Sequence, residues 1–83
     1  MAKILFLHGL ESSPTSSKVQ FLIGRGHEVI APALPKGSWS ESLSIAQSAV
    51  EELPPDIIVG SSRGGALAMN INPGRAKLIL IAP

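Results

Sequence analysis

Short apolar runs alternate along the chain with longer segments in which apolar residues recur every three or four positions. Continuous apolar runs are typical of parallel strands that are covered on both faces. The alternation predicts strand, helix, strand, helix, strand, helix, strand, which is an α/β fold with a parallel sheet and right-handed crossovers. The predicted strands are Lys3 to Leu7, His27 to Ala31, Ile57 to Val59 and Lys77 to Ala82.

The first two helices are marked by capping signals. Pro14 suits the first helical position behind Ser13, and Gly24 ends that helix. Ser38 and Glu41 have the spacing of a capping box for the second helix, which Pro54-Pro55 terminates. The apolar positions of the second helix step by fours and threes, and they are Trp39, Leu43, Ala46, Val50 and Leu53.

The third strand and the third helix meet at the pattern Gly60-x-Ser62-x-Gly64. This is the pattern of a nucleophile elbow, a tight turn that strains the serine backbone and exposes its hydroxyl at the top of a sheet. Gly65 is expected to add room for the helix, which is predicted to run to about Ile71. The alternatives are an ordinary glycine-rich turn or a phosphate-cradling one, although the chain has no Walker lysine at this turn and no Gly-x-Gly-x-x-Gly.

In a parallel sheet all carboxyl ends lie at one edge, so His8-Gly9 and Ser62 are predicted to lie at the same edge of the sheet. His27 and Asp56 stand at strand beginnings and are predicted at the opposite edge. A strand of five residues spans about 16 Å, so neither can touch Ser62.

The amino-acid composition argues against several classes of function. The chain has 83 residues, net charge +1, 16% charged and 4% aromatic residues, which favours neither nucleic acid nor an anionic membrane as a partner. It has no cysteine and two histidines, so neither a metal site nor a cofactor is expected. The apolar run Ile4 to Leu7 is too short for a signal peptide or a membrane span, which predicts a cytoplasmic protein.

Three stretches, ILFLHGLESSPTSSK, GHEVIAPALP and IIVGSSRGG, resemble in type and order the opening half of the α/β-hydrolase fold. The closest similarity is to its small esterase-like serine hydrolases, and it covers Lys3 to Pro83. The resemblance implies a three-layer, partial α/β-hydrolase fold with strand order 2-1-3-4 and helices on both faces of the sheet.

The resemblance also implies site residues and a substrate. Ser62 would be the nucleophile that attacks a small acyl ester or related substrate. The main-chain N–H groups of Leu10 and Arg63 would hold the oxyanion, as unpaired amides at such a turn can. The supporting residues would be His8, Gly9, Gly60 and Gly64.

The sequence departs from the family in one respect. The family's catalytic acid and histidine follow the nucleophile, whereas residues 63 to 83 contain no His, Asp or Glu. The chain alone is therefore expected to be inactive, because the serine proton has no acceptor. One alternative is a short Ser62, His8, Glu11 arrangement, although the histidine of an HG loop more often orients the oxyanion loop.

Two further side chains near the elbow have competing interpretations. Arg63 is expected to be a solvated surface arginine, the alternative being a group that attracts a carboxylate substrate. Trp39 is expected to anchor the second helix in the core rather than to line an acyl pocket.

The predicted helices are too few to cover both faces of the sheet, which indicates a single but incomplete domain over residues 1–83. One helix of about ten residues cannot cover a face of four parallel strands, and KLILIA would be an exposed apolar edge. Either a carboxyl-terminal half or a homo-oligomeric partner is expected to cover it. The hypotheses are a serine hydrolase lacking its carboxyl-terminal half, a non-catalytic interaction module of hydrolase descent, and an anion- or nucleotide-binding half domain.

Overall fold

The computed structural model describes residues 1–9 and 17–81. Strands and helices alternate along the chain as predicted. The elements are β1 (Lys3–Leu7), α1 (Ser17–Gly24), β2 (Glu28–Ile30), α2 (Trp39–Glu52), β3 (Ile57–Ser61), α3 (Arg63–Met69) and β4 (Lys77–Ile81). The predicted cap of the first helix, Ser13 and Pro14, lies outside the described residues.

The four strands form one parallel sheet in the order β2-β1-β3-β4, which confirms the predicted topology. Leu5 pairs with Ile30 on one side and with Ile58 on the other. Leu7 pairs with Gly60, so β1 and β3 end level with each other. This register sets the carboxyl ends of the two central strands side by side.

Alternate residues of β1 enter two separate cores. Leu5 and Leu7 pack on the face that carries α2 and α3, whereas Ile4 and Phe6 pack on the face that carries α1. The helices contribute Ala46 and Val50 from α2, Leu67 and Ala68 from α3, and Val19 from α1. The chain therefore forms the predicted three layers, and α1 is the helix on one face of the sheet within the described residues.

Three elements have boundaries that differ from the sequence prediction. β2 covers Glu28–Ile30 and is one residue shorter at each end than expected. β3 does not break at Gly60 but continues to Ser61, because both residues stay paired with β4. α3 ends at Met69 and Asn70 caps it, two residues earlier than expected. Ile71 then leaves the helix and is buried in the core shared by α2 and α3.

The edge strand β4 is poorly covered, as expected. Leu78, Ile79 and Leu80 are 40%, 48% and 47% exposed. A hollow of about 510 Å³ lies between α1 and β4, with Phe6 and Val59 among its walls. None of the predicted site residues that the structure describes lies among the walls of this apolar hollow.

Replacing Ser38 by Ala should destabilise the protein by about 1 kcal/mol, the usual effect of losing an N-cap. The Ser38 hydroxyl accepts a hydrogen bond from the main-chain N–H of Glu41 at 3.2 Å, at the start of α2. Ser40→Ala is the matched control because Ser40 is exposed in the same helical turn. Urea unfolding followed by circular dichroism measures both variants, and equal midpoints would contradict a capping role for Ser38.

Candidate functional site

Ser62 occupies the sharp turn between β3 and α3. Its φ of 60° and ψ of −122° make it the one non-glycine residue with positive φ in the described part of the chain. A serine held in this region costs about 1–3 kcal/mol of backbone strain. Its side chain is exposed to solvent. The predicted nucleophile thus stands outside the core, on main chain that the surrounding fold keeps strained.

The loop that follows β1 lies directly against Ser62. A Cβ atom added at Gly9 would lie 2.6 Å from the Cβ and 3.2 Å from the Oγ of Ser62. Only glycine can therefore occupy position 9 with this geometry. The structure brings together His8-Gly9 and Ser62, and it leaves bare main chain facing the hydroxyl.

The glycines of the elbow differ in how closely other main-chain atoms approach them. A Cβ at Gly60 would lie 2.5 Å from the carbonyl oxygen of Gly64, and a Cβ at Gly64 would overlap the carbonyl group of Leu7. A Cβ at Gly65 would be 3.5 Å from its nearest atom, the Gly60 carbonyl oxygen, which is an ordinary contact. Gly60 and Gly64 therefore permit the close approach of β1, β3 and α3, whereas the expectation that Gly65 provides needed room is wrong.

His8 is buried and uses both ring nitrogens. Its Nε2 lies 3.4 Å from the main-chain nitrogen of Leu34, and its Nδ1 lies 2.9 Å from the carbonyl oxygen of Gly9. Because an N–H can only donate, this network assigns Nε2 as the acceptor and Nδ1–H as the donor. The ring joins the loop after β1 to the segment after β2. No nitrogen is left to accept the Ser62 proton, which argues against the arrangement with Glu11, a residue outside the described ranges.

Arg63 presents its main chain and its side chain to different surroundings. Its main-chain N–H has no hydrogen-bond partner within residues 1–9 and 17–81. Its half-buried side chain donates from Nη1 to the Pro35 carbonyl oxygen at 3.4 Å, and its guanidinium carbon lies 5.2 Å from the centre of the Trp39 ring. The second predicted oxyanion donor, Leu10, lies outside the described residues, so that assignment stays a prediction.

Two side-chain expectations were wrong. Arg63 is not a solvated surface arginine, since it is half-buried and stacked on Trp39. Trp39 is not a core anchor, since it is 39% exposed. It is the first residue of α2, and its ring lies beside the guanidinium of Arg63.

The segment after β2 contributes contacts that the sequence analysis missed. The Pro35 carbonyl oxygen accepts from Arg63 and, at 3.0 Å, from the hydroxyl of fully buried Ser42. The available signal was the pair Pro32 and Pro35, because proline holds the residue before it in an extended conformation. That signal indicates a rigid segment but not which side chains bind it.

His27 and Asp56 lie at the opposite edge of the sheet, as predicted. His27 Nδ1 accepts a hydrogen bond from the main-chain N–H of Ala2 at 3.1 Å. The carboxylate of Asp56 accepts one from Lys3 N–H at 2.9 Å and pairs with Arg75 at 3.5 Å. Both side chains organise strand beginnings and contribute nothing to the surroundings of Ser62.

Comparison with known proteins gives one family. The model of the Uncharacterised protein family (UPF0227) matches residues 3–83. No curated protein and no solved structure matches the chain. Among the described helices, none has the length and apolar character needed to cross a membrane.

Gly64→Ala should destabilise the protein by about 1–3 kcal/mol or more, because the new methyl group meets main chain that cannot move aside. Gly65→Ala is the matched control, because its methyl group would make only ordinary van der Waals contacts and the helical backbone favours alanine, so a gain of roughly 0.5–1 kcal/mol is expected. Denaturant unfolding of the two variants measures the difference. Equal stabilities would show that α3 does not approach β1 as closely as described.

Ser62→Gly should stabilise the fold by about 1 kcal/mol, because glycine adopts positive φ without the strain that serine bears. Ser62→Ala removes the same hydroxyl but keeps the strained Cβ, so its stability should stay near that of the unmodified protein. Thermal unfolding compares the three proteins. A Ser62→Gly variant no more stable than Ser62→Ala would mean that the turn is unstrained.

Proposed function

We propose that this chain, which belongs to the UPF0227 family, carries the nucleophile of a serine hydrolase of esterase type. The observation that carries the proposal is the conformation of Ser62, an exposed serine at φ 60° between a strand and a helix. A protein rarely keeps such strain without a use for the side chain that bears it. The proposed substrate is a small acyl ester or a related acyl compound.

In the proposed reaction, the Ser62 hydroxyl attacks the acyl carbonyl and a tetrahedral oxyanion forms. The main-chain N–H of Arg63, unpaired among the residues described, would donate to that oxyanion. Leu10 N–H would be the second donor, on the loop that begins at Gly9. A donor of this kind typically contributes about 100- to 1,000-fold to kcat.

The base for this reaction is proposed to come from outside the 83 residues. His8 has both nitrogens engaged, and His27 lies at the far edge of the sheet. A serine hydroxyl without a neighbouring base is a weak nucleophile at neutral pH. The acid and the histidine of the triad are therefore assigned to other residues of the native protein, and the 83-residue chain alone is proposed to be inactive.

A second candidate is a non-catalytic interaction module. The exposed apolar side chains on both faces of β4 favour it, because they would be buried by pairing with a partner. In that case Ser62 would be the remnant of an elbow and would not react with acylating agents.

Treatment of the native, folded protein with a fluorophosphonate probe should label Ser62, as mapped by peptide mass spectrometry. Ser62→Ala should abolish labelling, whereas Ser61→Ala, which removes the buried neighbouring hydroxyl, should retain it. The isolated 83-residue chain should react about 100- to 10,000-fold more slowly, the range that a general base contributes. A folded native protein that does not label would remove the hydrolase proposal and favour the module.

A further inference from the structure

Within residues 1–9 and 17–81, no carboxylate forms an ion pair with the positively charged Arg63. The ion pair within 4 Å found among the described residues is that of Arg75 and Asp56, at the other edge of the sheet. Glu41, two residues beyond Trp39 on α2, makes no ion pair with Arg63. Arg63 as a whole residue is half-buried. A guanidinium without an ion-pair partner has capacity for a carboxylate or a phosphate.

The guanidinium also has unused hydrogen-bond donors. It has five N–H groups, and its side chain makes one hydrogen bond in the described part of the chain, to the Pro35 carbonyl oxygen. Stacking on Trp39 uses the face of the group and leaves the donors along its edge available. Both contacts hold a flexible side chain in one place, which reduces the entropy lost on binding.

The Arg63 guanidinium belongs to the residue next to the proposed nucleophile. Arg63 directly follows Ser62, so their Cα atoms are about 3.8 Å apart. Lys36 follows Pro35, and its exposed side chain adds positive charge to the same segment. A substrate carbonyl at Ser62 and an anionic group at Arg63 would both be bound by residues at one turn of the chain.

We propose that the Arg63 side chain binds an anionic oxygen group of the substrate, so that the preferred substrates are acyl esters bearing a carboxylate or a phosphate close to the scissile bond. This substrate class rests on the proposed function of Ser62. The binding of the anion itself does not, because it requires neither the triad nor turnover. The two proposals can therefore fail separately.

Trp39, the only tryptophan of the chain, gives a direct signal because its ring lies against the guanidinium. Its fluorescence should be titrated with monomethyl succinate, with the neutral match dimethyl succinate, and with methyl phosphate. The native protein and Ser62→Ala, which cannot turn over an ester through Ser62, should give the same result. The anionic probe is expected to bind at least about tenfold more tightly than the neutral one, a difference of about 1.4 kcal/mol, and more weakly as salt is raised.

Variants assign the effect to one side chain. Arg63→Gln should lose the preference for the anionic probe, and Arg63→Lys should keep part of it. Arg25→Gln is the matched control, because Arg25 also stacks on an aromatic ring, that of Phe21 at 5.9 Å, but away from the elbow. Circular dichroism checks folding, and Arg63→Lys carries the test if Arg63→Gln does not fold.

The outcomes separate the proposals. Tighter binding of methyl phosphate than of monomethyl succinate would support the anion site and select phosphate-bearing esters. Equal binding of charged and neutral probes, absence of saturable binding, or unchanged selectivity in Arg63→Gln would overturn the inference. Labelling of Ser62 without anion selectivity would leave the hydrolase and remove this substrate class. Anion selectivity without labelling would leave the anion site and remove the hydrolase, and the substrate class with it.

Discussion

The candidate site depends on one constraint, the direct packing of main chain against main chain at the carboxyl edge of the sheet. Gly64 lies against the Leu7 carbonyl, Gly60 lies against the first turn of α3, and Gly9 lies against Ser62. A side chain at any of these three glycines would separate β1, β3 and α3. The close packing of these elements keeps Ser62 in a conformation that it would not keep in an isolated peptide. The strain energy of one residue is small compared with the packing energy that holds it.

Side chains then connect this edge to the segment after β2. His8, in the loop after β1, and Arg63, the first residue of α3, bind the consecutive residues Leu34 and Pro35. The segment after β2 is therefore hydrogen-bonded both to the loop after β1 and to the start of α3. In such an arrangement a displacement of Pro35 would shift both the loop beside the Ser62 hydroxyl and Arg63, the residue after Ser62. The surroundings of Ser62 are therefore set by a segment distant in sequence.

Local patterns predicted most of the architecture because each acts within a few residues. The N-cap of α2 is an interaction of Ser38 with Glu41, and the parallel sheet follows from the alternation of strands and helices. The strand order was implied by the resemblance to the α/β-hydrolase fold and not by a local pattern. The errors arose where a distant partner decided the outcome. β3 extends to Ser61 because β4 pairs with it, and Trp39 is 39% exposed with its ring beside the guanidinium of Arg63.

The sequence by itself determined that four strands and three helices alternate, and that Ser62 and His8-Gly9 meet at one edge, because hydrophobic periodicity and glycine positions encode these features locally. Only the tertiary structure decided that both nitrogens of His8 are engaged, that a Cβ at Gly65 would make ordinary contacts, and that half-buried Arg63 has no ion-pair partner among the described residues. The physical reason is that hydrogen-bond partners, free space and burial are relations between residues far apart in the chain, which folding creates and no local pattern records.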